Sequence, residues 1–130
     1  MAVSSASFHE SLDKLSTTTQ DMHRALVSLQ EELEAVDWYQ QRADACADDD
    51  LKAILLHNMD EEIEHAAMVL EWLRRHHPGF GKHLRTYLFT SQAILDIEEE
   101  DTSDSGHPEV SQEGGKLHIP GLTVGKMKGD

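Results

Sequence analysis

Only one cysteine, Cys46, stands in the 130-residue chain, so no internal disulfide framework can form and a reducing cytoplasm is the expected setting. No apolar run approaches the ~20 residues that a membrane span needs, and no secretory leader is recognisable. Basic residues are scarce: 11 Lys and Arg face 25 Asp and Glu, leaving a net charge of −14. That balance opposes nucleic-acid binding and favours attraction of cations. Gly-rich phosphate loops, nucleophile elbows and paired Cys-x-x-Cys motifs are all missing. No stretch alternates polar and apolar residues with period two, which excludes a strand-based fold.

What is present is helical periodicity. Residues 1–8 are small and polar and read as a frayed arm. Leu12, Leu15, Met22, Leu26, Leu29, Leu33 and Val36 then recur at steps of three and four, with Thr19 filling one gap. No Gly or Pro interrupts them, so a long first helix to about Ala43 is expected. Ala47 to Asp50 supplies N-cap candidates and first-turn acids for a second helix. That helix carries Leu51, Leu55, Asn58, Glu62, His65, Val69 and Trp72, and ends on Arg74, Arg75, His76 and His77 before Pro78-Gly79. Phe80, Leu84, Tyr87, Leu88, Ile94 and Leu95 suggest a shorter third helix. The expected fold is all-α, with two long antiparallel helices and a short C-terminal one in a domain of residues 1–97. So few helices bury little, which makes oligomerisation the expected source of stability.

Three members of the second-helix seam are polar, and two of them form a Glu-x-x-His pair. Glu62 and His65 lie one turn apart on one helix face. A carboxylate on an apolar stripe is costly to bury unless it is paired or holds a cation. By themselves Glu62 and His65 are as well explained by pairing with each other or lying at the rim. Glu32 adds weight to metal binding. At ~100° per residue it lies roughly 60° from Leu29 and about 40° from Val36, on the flank of the first-helix stripe. An antiparallel hairpin brings it opposite the middle of the second helix. One Glu and one Glu-x-x-His is half of a di-iron carboxylate site of the ferritin-like kind. No second Glu-x-x-His exists in the chain, so two chains must build the whole site.

Glu31, Glu34 and Trp38 form a second stripe on the other face of the first helix. They could gather cations or hold a hard ion such as calcium across a subunit interface. A solvated acidic face, with Trp38 against another subunit, explains them as well. Glu61 and Glu64 point away from the seam and read as surface carboxylates. His57 reads as a partly exposed polar residue, and His76 and His77 as cations matched to a helix end.

At these residues the chain closely resembles the encapsulated ferritins, bacterial ferroxidases packaged inside encapsulin shells. The resemblance rests on Glu31-Glu32-Leu33-Glu34-Ala35-Val36-Asp37-Trp38-Tyr39 and on Asp60-Glu61-Glu62-Ile63-Glu64-His65-Ala66-Ala67-Met68. It continues through Leu70 to Arg75 and His83 to Phe89, and covers roughly residues 8–95. It implies half of a ferritin-like bundle, completed by a homodimer, with dimers assembled into an open ring, typically a decamer. It also implies iron ligands at Glu32, Glu62 and His65, outer metal-site acids at Glu31 and Glu34, and an aromatic pair, Trp38 and Tyr39, beside those sites.

After Ile97 the composition turns polar, and residues 98–130 read as a flexible linker with a short apolar terminus. Leu122-Thr123-Val124-Gly125 resembles the family's shell-docking peptide, although Lys126-Met127-Lys128 departs from its usual ending. The implied setting is the bacterial cytoplasm, inside an encapsulin nanocompartment. The function so implied is oxidation of Fe(II) to Fe(III) with dioxygen, for storage of the mineral by the shell. Two other readings stay open: a di-iron oxygenase or peroxidase acting on an organic substrate, and a non-catalytic acidic scaffold or metal-sensing dimer.

Overall fold

The structure is a computed structural model that describes residues 7–103; the docking peptide and most of the expected linker lie outside the described residues. Among the described residues every regular element is helical. After a short 3-10 turn at Leu12–Lys14 come α1 (Thr17–Ala45), α2 (Asp49–His76), α3 (Pro78–Tyr87) and α4 (Ile94–Ser103). None of these helices is long and apolar enough to cross a membrane. The chain divides into two compact units, Met1–Gly81 and Lys82–Asp130.

In the first unit, α1 starts later than its apolar stripe. Leu15 and Ser16 are extended, and Ser16 caps the helix by accepting from the Thr19 amide at 3.1 Å. The stripe continues upstream because the 3-10 turn is tied down, with Gln20 Nε2 donating to the Leu15 carbonyl at 3.1 Å. The expected frayed arm is anchored where it is described: the Phe8 ring lies 4.0 Å from the His23 ring.

The connection between the long helices is three residues, Cys46 to Asp48, which is short enough to force α1 and α2 into an antiparallel hairpin. Asp48 caps α2, its carboxylate accepting from the Asp50 and Leu51 amides at 2.9 and 3.1 Å. The first-turn acids Asp49 and Asp50 complement the positive end of the helix. At the other end Glu71 is shared by Arg74 and Arg75. His76 stacks on Trp72, with ring centroids 4.2 Å apart, and holds the Trp72 carbonyl through Nδ1 at 2.8 Å.

The hairpin's own core is thin. Ala43, Ala66 and Leu73 are its buried hydrophobic residues, and only Leu73 is a large side chain fully removed from solvent. Leu33, Leu51, Ile54, Ile63 and Met68 remain exposed. Two helices have too little facing surface to cover both flanks of each apolar stripe.

Beyond α2 the sequence expectation needs correction. Pro78 does stop α2, but it also opens α3 as its first residue, where a missing amide hydrogen costs nothing. The expected third helix through Leu95 is two helices. α3 ends at Tyr87, and Phe89 takes a left-handed conformation (φ 60°) that no helix continues through. The acidic run from Glu98, expected to be disordered and solvated, is helical as far as Ser103. Of the acids of α4 only Asp96 lies in the first turn, where the helix dipole favours negative charge. Thr102 and Ser103 hydroxyls return to the carbonyls of Glu98, Glu99 and Glu100. In this second unit burial raises the Tyr87 hydroxyl pKa, helped by the charges of Glu98 and Asp101.

Candidate metal centre

The hairpin turn fixes which residues meet. Glu32 and Glu62 stand equally far along the chain on either side of Ala47, so antiparallel packing sets one opposite the other. His65 follows one turn beyond Glu62. Their oxygen and nitrogen donors all lie within 4.8 Å of one another. His65 Nδ1 is 3.6 Å from a Glu32 oxygen and 3.7 Å from a Glu62 oxygen. These separations are too long for hydrogen bonds but match atoms arranged around a common centre.

The electrostatics of the cluster are unbalanced. Two carboxylates face a single imidazole, and the Glu32 pKa is raised above its ordinary value. The largest cause is that a protonated Glu32 can hydrogen-bond to the Glu62 carboxylate; burial and the Glu62 charge act in the same direction. His65 opposes the rise only partly. A cation placed among the three would do the proton's work with more charge. Side-chain exposures of 24% for Glu32, 25% for Glu62 and 41% for His65 leave the cluster open on one side. A cation here would have three protein donors from this chain and room for more from outside it.

Fewer groups gather elsewhere. Glu31 is exposed and Glu34 half-buried on α1, and among the described residues only Glu32, Glu62 and His65 form a group of three potential metal donors. Trp38 is exposed and Tyr39 half-buried. Arg42, unnoticed in the sequence, sits over both rings, 5.8 Å from the Trp38 centroid and 5.5 Å from that of Tyr39. Its signal was available: position 42 is four residues after Trp38 and three after Tyr39, on the same helix flank. Glu61 and Glu64 are exposed, and Glu61 lies 3.4 Å from His57 on the outer surface of α2. Two open grooves flank Met68 and Trp72, and neither is lined by the three clustered donors.

Comparison with known proteins gives consistent matches. The EncFtn-like family model matches residues 7–91. The chain is similar to the encapsulated ferritin-like protein of Rhodospirillum rubrum, at 53% identity over 131 residues, covering 100% of this chain and 94% of that protein. It is 30% identical over 130 residues to the encapsulin nanocompartment cargo protein EncC of Myxococcus xanthus, covering 93% and 95% of the two chains. A crystal structure of a protein from Nitrosomonas europaea superposes with a TM-score of 0.65 at 61% identity, covering 67% of this chain and 96% of that one.

Proposed function

The chain belongs to the EncFtn-like family of encapsulated ferritins, and from that premise we propose that it is a ferroxidase, oxidising Fe(II) to Fe(III) with dioxygen at a di-iron site shared by two subunits. One observation carries the reading: Glu32, Glu62 and His65 converge from two helices with their donor atoms within 4.8 Å. Two carboxylates and an imidazole suit iron, since oxygen donors favour the hard ferric product and a neutral imidazole helps hold the ferrous ion. Three donors per chain are half of the set that a pair of irons needs. The exposed flanks of the hairpin supply a reason for the second half to arrive, because Leu33, Ile54, Ile63 and Met68 gain cover in a dimer.

In this reading Fe(II) is the substrate. Glu32 and Glu62 bind the ion through carboxylate oxygens, and protonation of Glu32, whose pKa is raised, competes with the ion. His65 binds as the neutral imidazole. Two ferrous ions held side by side each lose one electron to the same dioxygen molecule. Glu31 and Glu34 form the outer metal site, a place for incoming iron or for calcium, with Trp38 and Tyr39 beside it. The assembly is a homodimer repeated in an open ring, a decamer by resemblance to the family. A ring encloses no storage volume, so the mineral belongs to a surrounding encapsulin shell in the bacterial cytoplasm. The Myxococcus relative's name, an encapsulin nanocompartment cargo protein, supports that partner. Leu122, Thr123, Val124 and Gly125 are the docking residues, extended segments being able to add apolar anchors to a groove and gain avidity from many copies.

Oxygen uptake by the purified protein on addition of Fe(II) tests the activity, measured alongside a chain lacking residues 116–130. Both are expected to consume oxygen, and only the full chain to co-purify with a co-expressed encapsulin shell. No iron-dependent uptake by the full chain rejects the ferroxidase; a truncated chain still found inside the shell rejects the tail as its address.

A further inference from the structure

His77 stands at the corner between α2 and α3 and makes contacts that neither helix end would predict from charge alone. Its backbone is extended (φ −123°, ψ 113°), the conformation that a following proline imposes. Its amide closes α2 on the Leu73 carbonyl at 2.9 Å, and its carbonyl accepts the first bond of α3, from the Gly81 amide at 2.9 Å. The side chain turns over the start of α3. Nδ1 accepts from the Gly79 amide at 3.1 Å and from the Phe80 amide at 3.3 Å. Those are the second and third residues of the helix, the donors that an Asp, Asn or Ser cap normally satisfies.

Two neighbours adapt to this placement. A Cβ on residue 79 would lie 3.0 Å from His77 Cε1 and 3.1 Å from Nδ1, so a side chain there would press the ring back by a few tenths of an ångström. Phe80 meets the ring edge-on, with centroids 5.5 Å apart at 83°.

From this geometry we propose that His77 is a pH-sensitive cap: it holds the first turn of α3 while its imidazole is neutral and releases it on protonation. The chemistry leaves little choice. Only the tautomer protonated at Nε2 has a lone pair on Nδ1, and the imidazolium carries hydrogen on both nitrogens. A protonated Nδ1 would point N–H at two N–H groups and at the positive end of the helix dipole. Among the described residues no carboxylate pairs with His77 to compensate the added charge. On α2 the flanking groups are Arg74, Arg75 and His76, with Glu71 already held by both arginines. On α3 the next ionisable residues are Lys82 and His83. The ion pairs of the described residues include none between His77 and a carboxylate of α1, α2 or α3. An Asp or Asn at this position would cap without responding to pH in the imidazole range. The device bears on the helix that leads out of the first unit, and it is independent of the metal centre.

Hydrogen exchange read by mass spectrometry on the full chain tests this, comparing residues 78–87 at pH 8 and pH 5.5 after correction for the intrinsic pH dependence of exchange. The wild type is expected to lose protection roughly fivefold on acidification, the change that an N-cap of ordinary strength supports. His77→Asn is expected to keep its protection at both values, and His77→Ala to lack it at both. A His77→Asn chain that loses protection on acidification as the wild type does, or a His77→Ala chain protected like the wild type at pH 8, overturns the proposal.

Discussion

Two carboxylate clusters on the same hairpin are built to opposite ends. Near the C-terminus of α2, Glu71 meets two guanidinium groups, Arg74 at 2.5 and 2.7 Å and Arg75 at 2.7 Å. Hydrogen bonds from Arg74, then Arg75, pull its pKa down to about 2. In the middle of the hairpin, Glu32 and Glu62 meet each other and one imidazole, and Glu32 is pushed up. Both places expose part of their charge to water, so burial alone does not separate them. Partner count does. Glu71 accepts three hydrogen bonds from two cations, so its charge is more than matched, whereas the Glu32 cluster is short of positive charge. Unanswered charge held in place by two packed helices is the mark of a site that expects a cation.

The sharpest way to break this contrast is to delete the donors. Glu32→Ala, Glu62→Ala and His65→Ala are each expected to lower iron-dependent oxygen uptake at least tenfold, on the scale seen when the groups around a metal are disturbed. Helix content by circular dichroism is expected to stay near that of the wild type. Glu61→Ala and Glu64→Ala, exposed on the same helix, are expected to be mild. Controls as damaging as the donor variants would show that the register on α2 is wrong.

Without iron the two clusters diverge in sign. Glu32→Gln removes a repelling carboxylate and is expected to leave the melting temperature of the metal-free protein unchanged or raised. Glu71→Gln removes the acceptor of two arginines and is expected to lower it slightly, the pair being exposed. The pH dependence follows from the direction of each shift. The depressed pKa of Glu71 means that its contribution is present above the ordinary carboxylate range and fades as pH falls toward about 2. Glu32, raised, keeps its proton to higher pH than an ordinary carboxylate and binds a cation in competition with it. Thermal melts of both variants at neutral pH check the signs; equal losses would erase the contrast.

The smallest effect belongs to the outer stripe. Glu31→Ala combined with Glu34→Ala removes charge that no described partner gathers into a cluster. The expected outcome is a change in the rate of iron oxidation that fades as salt is raised, with the inner pair of irons still present in a crystal structure. Loss of that inner pair would mean that the outer acids are part of the same site.

Much of this was legible in the sequence, and the reasons are local. Steps of three and four drew α1 and α2, and Asp48 with its two following acids marked where α2 begins. The equal spacing of Glu32 and Glu62 from the turn was present in the numbering itself, because a three-residue connection allows little register choice. Less legible were places where one residue does two jobs. Pro78 reads as a stop, yet it is also a start. His77 reads as a cation at a helix end, yet its nitrogen accepts two amide hydrogens. Phe89 ends the helical run in a left-handed conformation that a glycine would have announced and a phenylalanine does not. The acids of α4 have the composition of a solvated linker, yet they continue a helix that begins at Ile94 with Asp96 in its first turn. Arg42 is hard to read from sequence because its partners are aromatic rings rather than acids.

The central claim is that one chain holds half a site, and native mass spectrometry of the metal-free protein titrated with Fe(II) tests it most directly. A ligand that binds only the assembled form stabilises that form by mass action. Monomer is therefore expected to remain free of iron while iron appears as pairs on dimers and higher assemblies, whose share grows with each addition. Iron bound to monomers, with the mass distribution unchanged, would contradict the account.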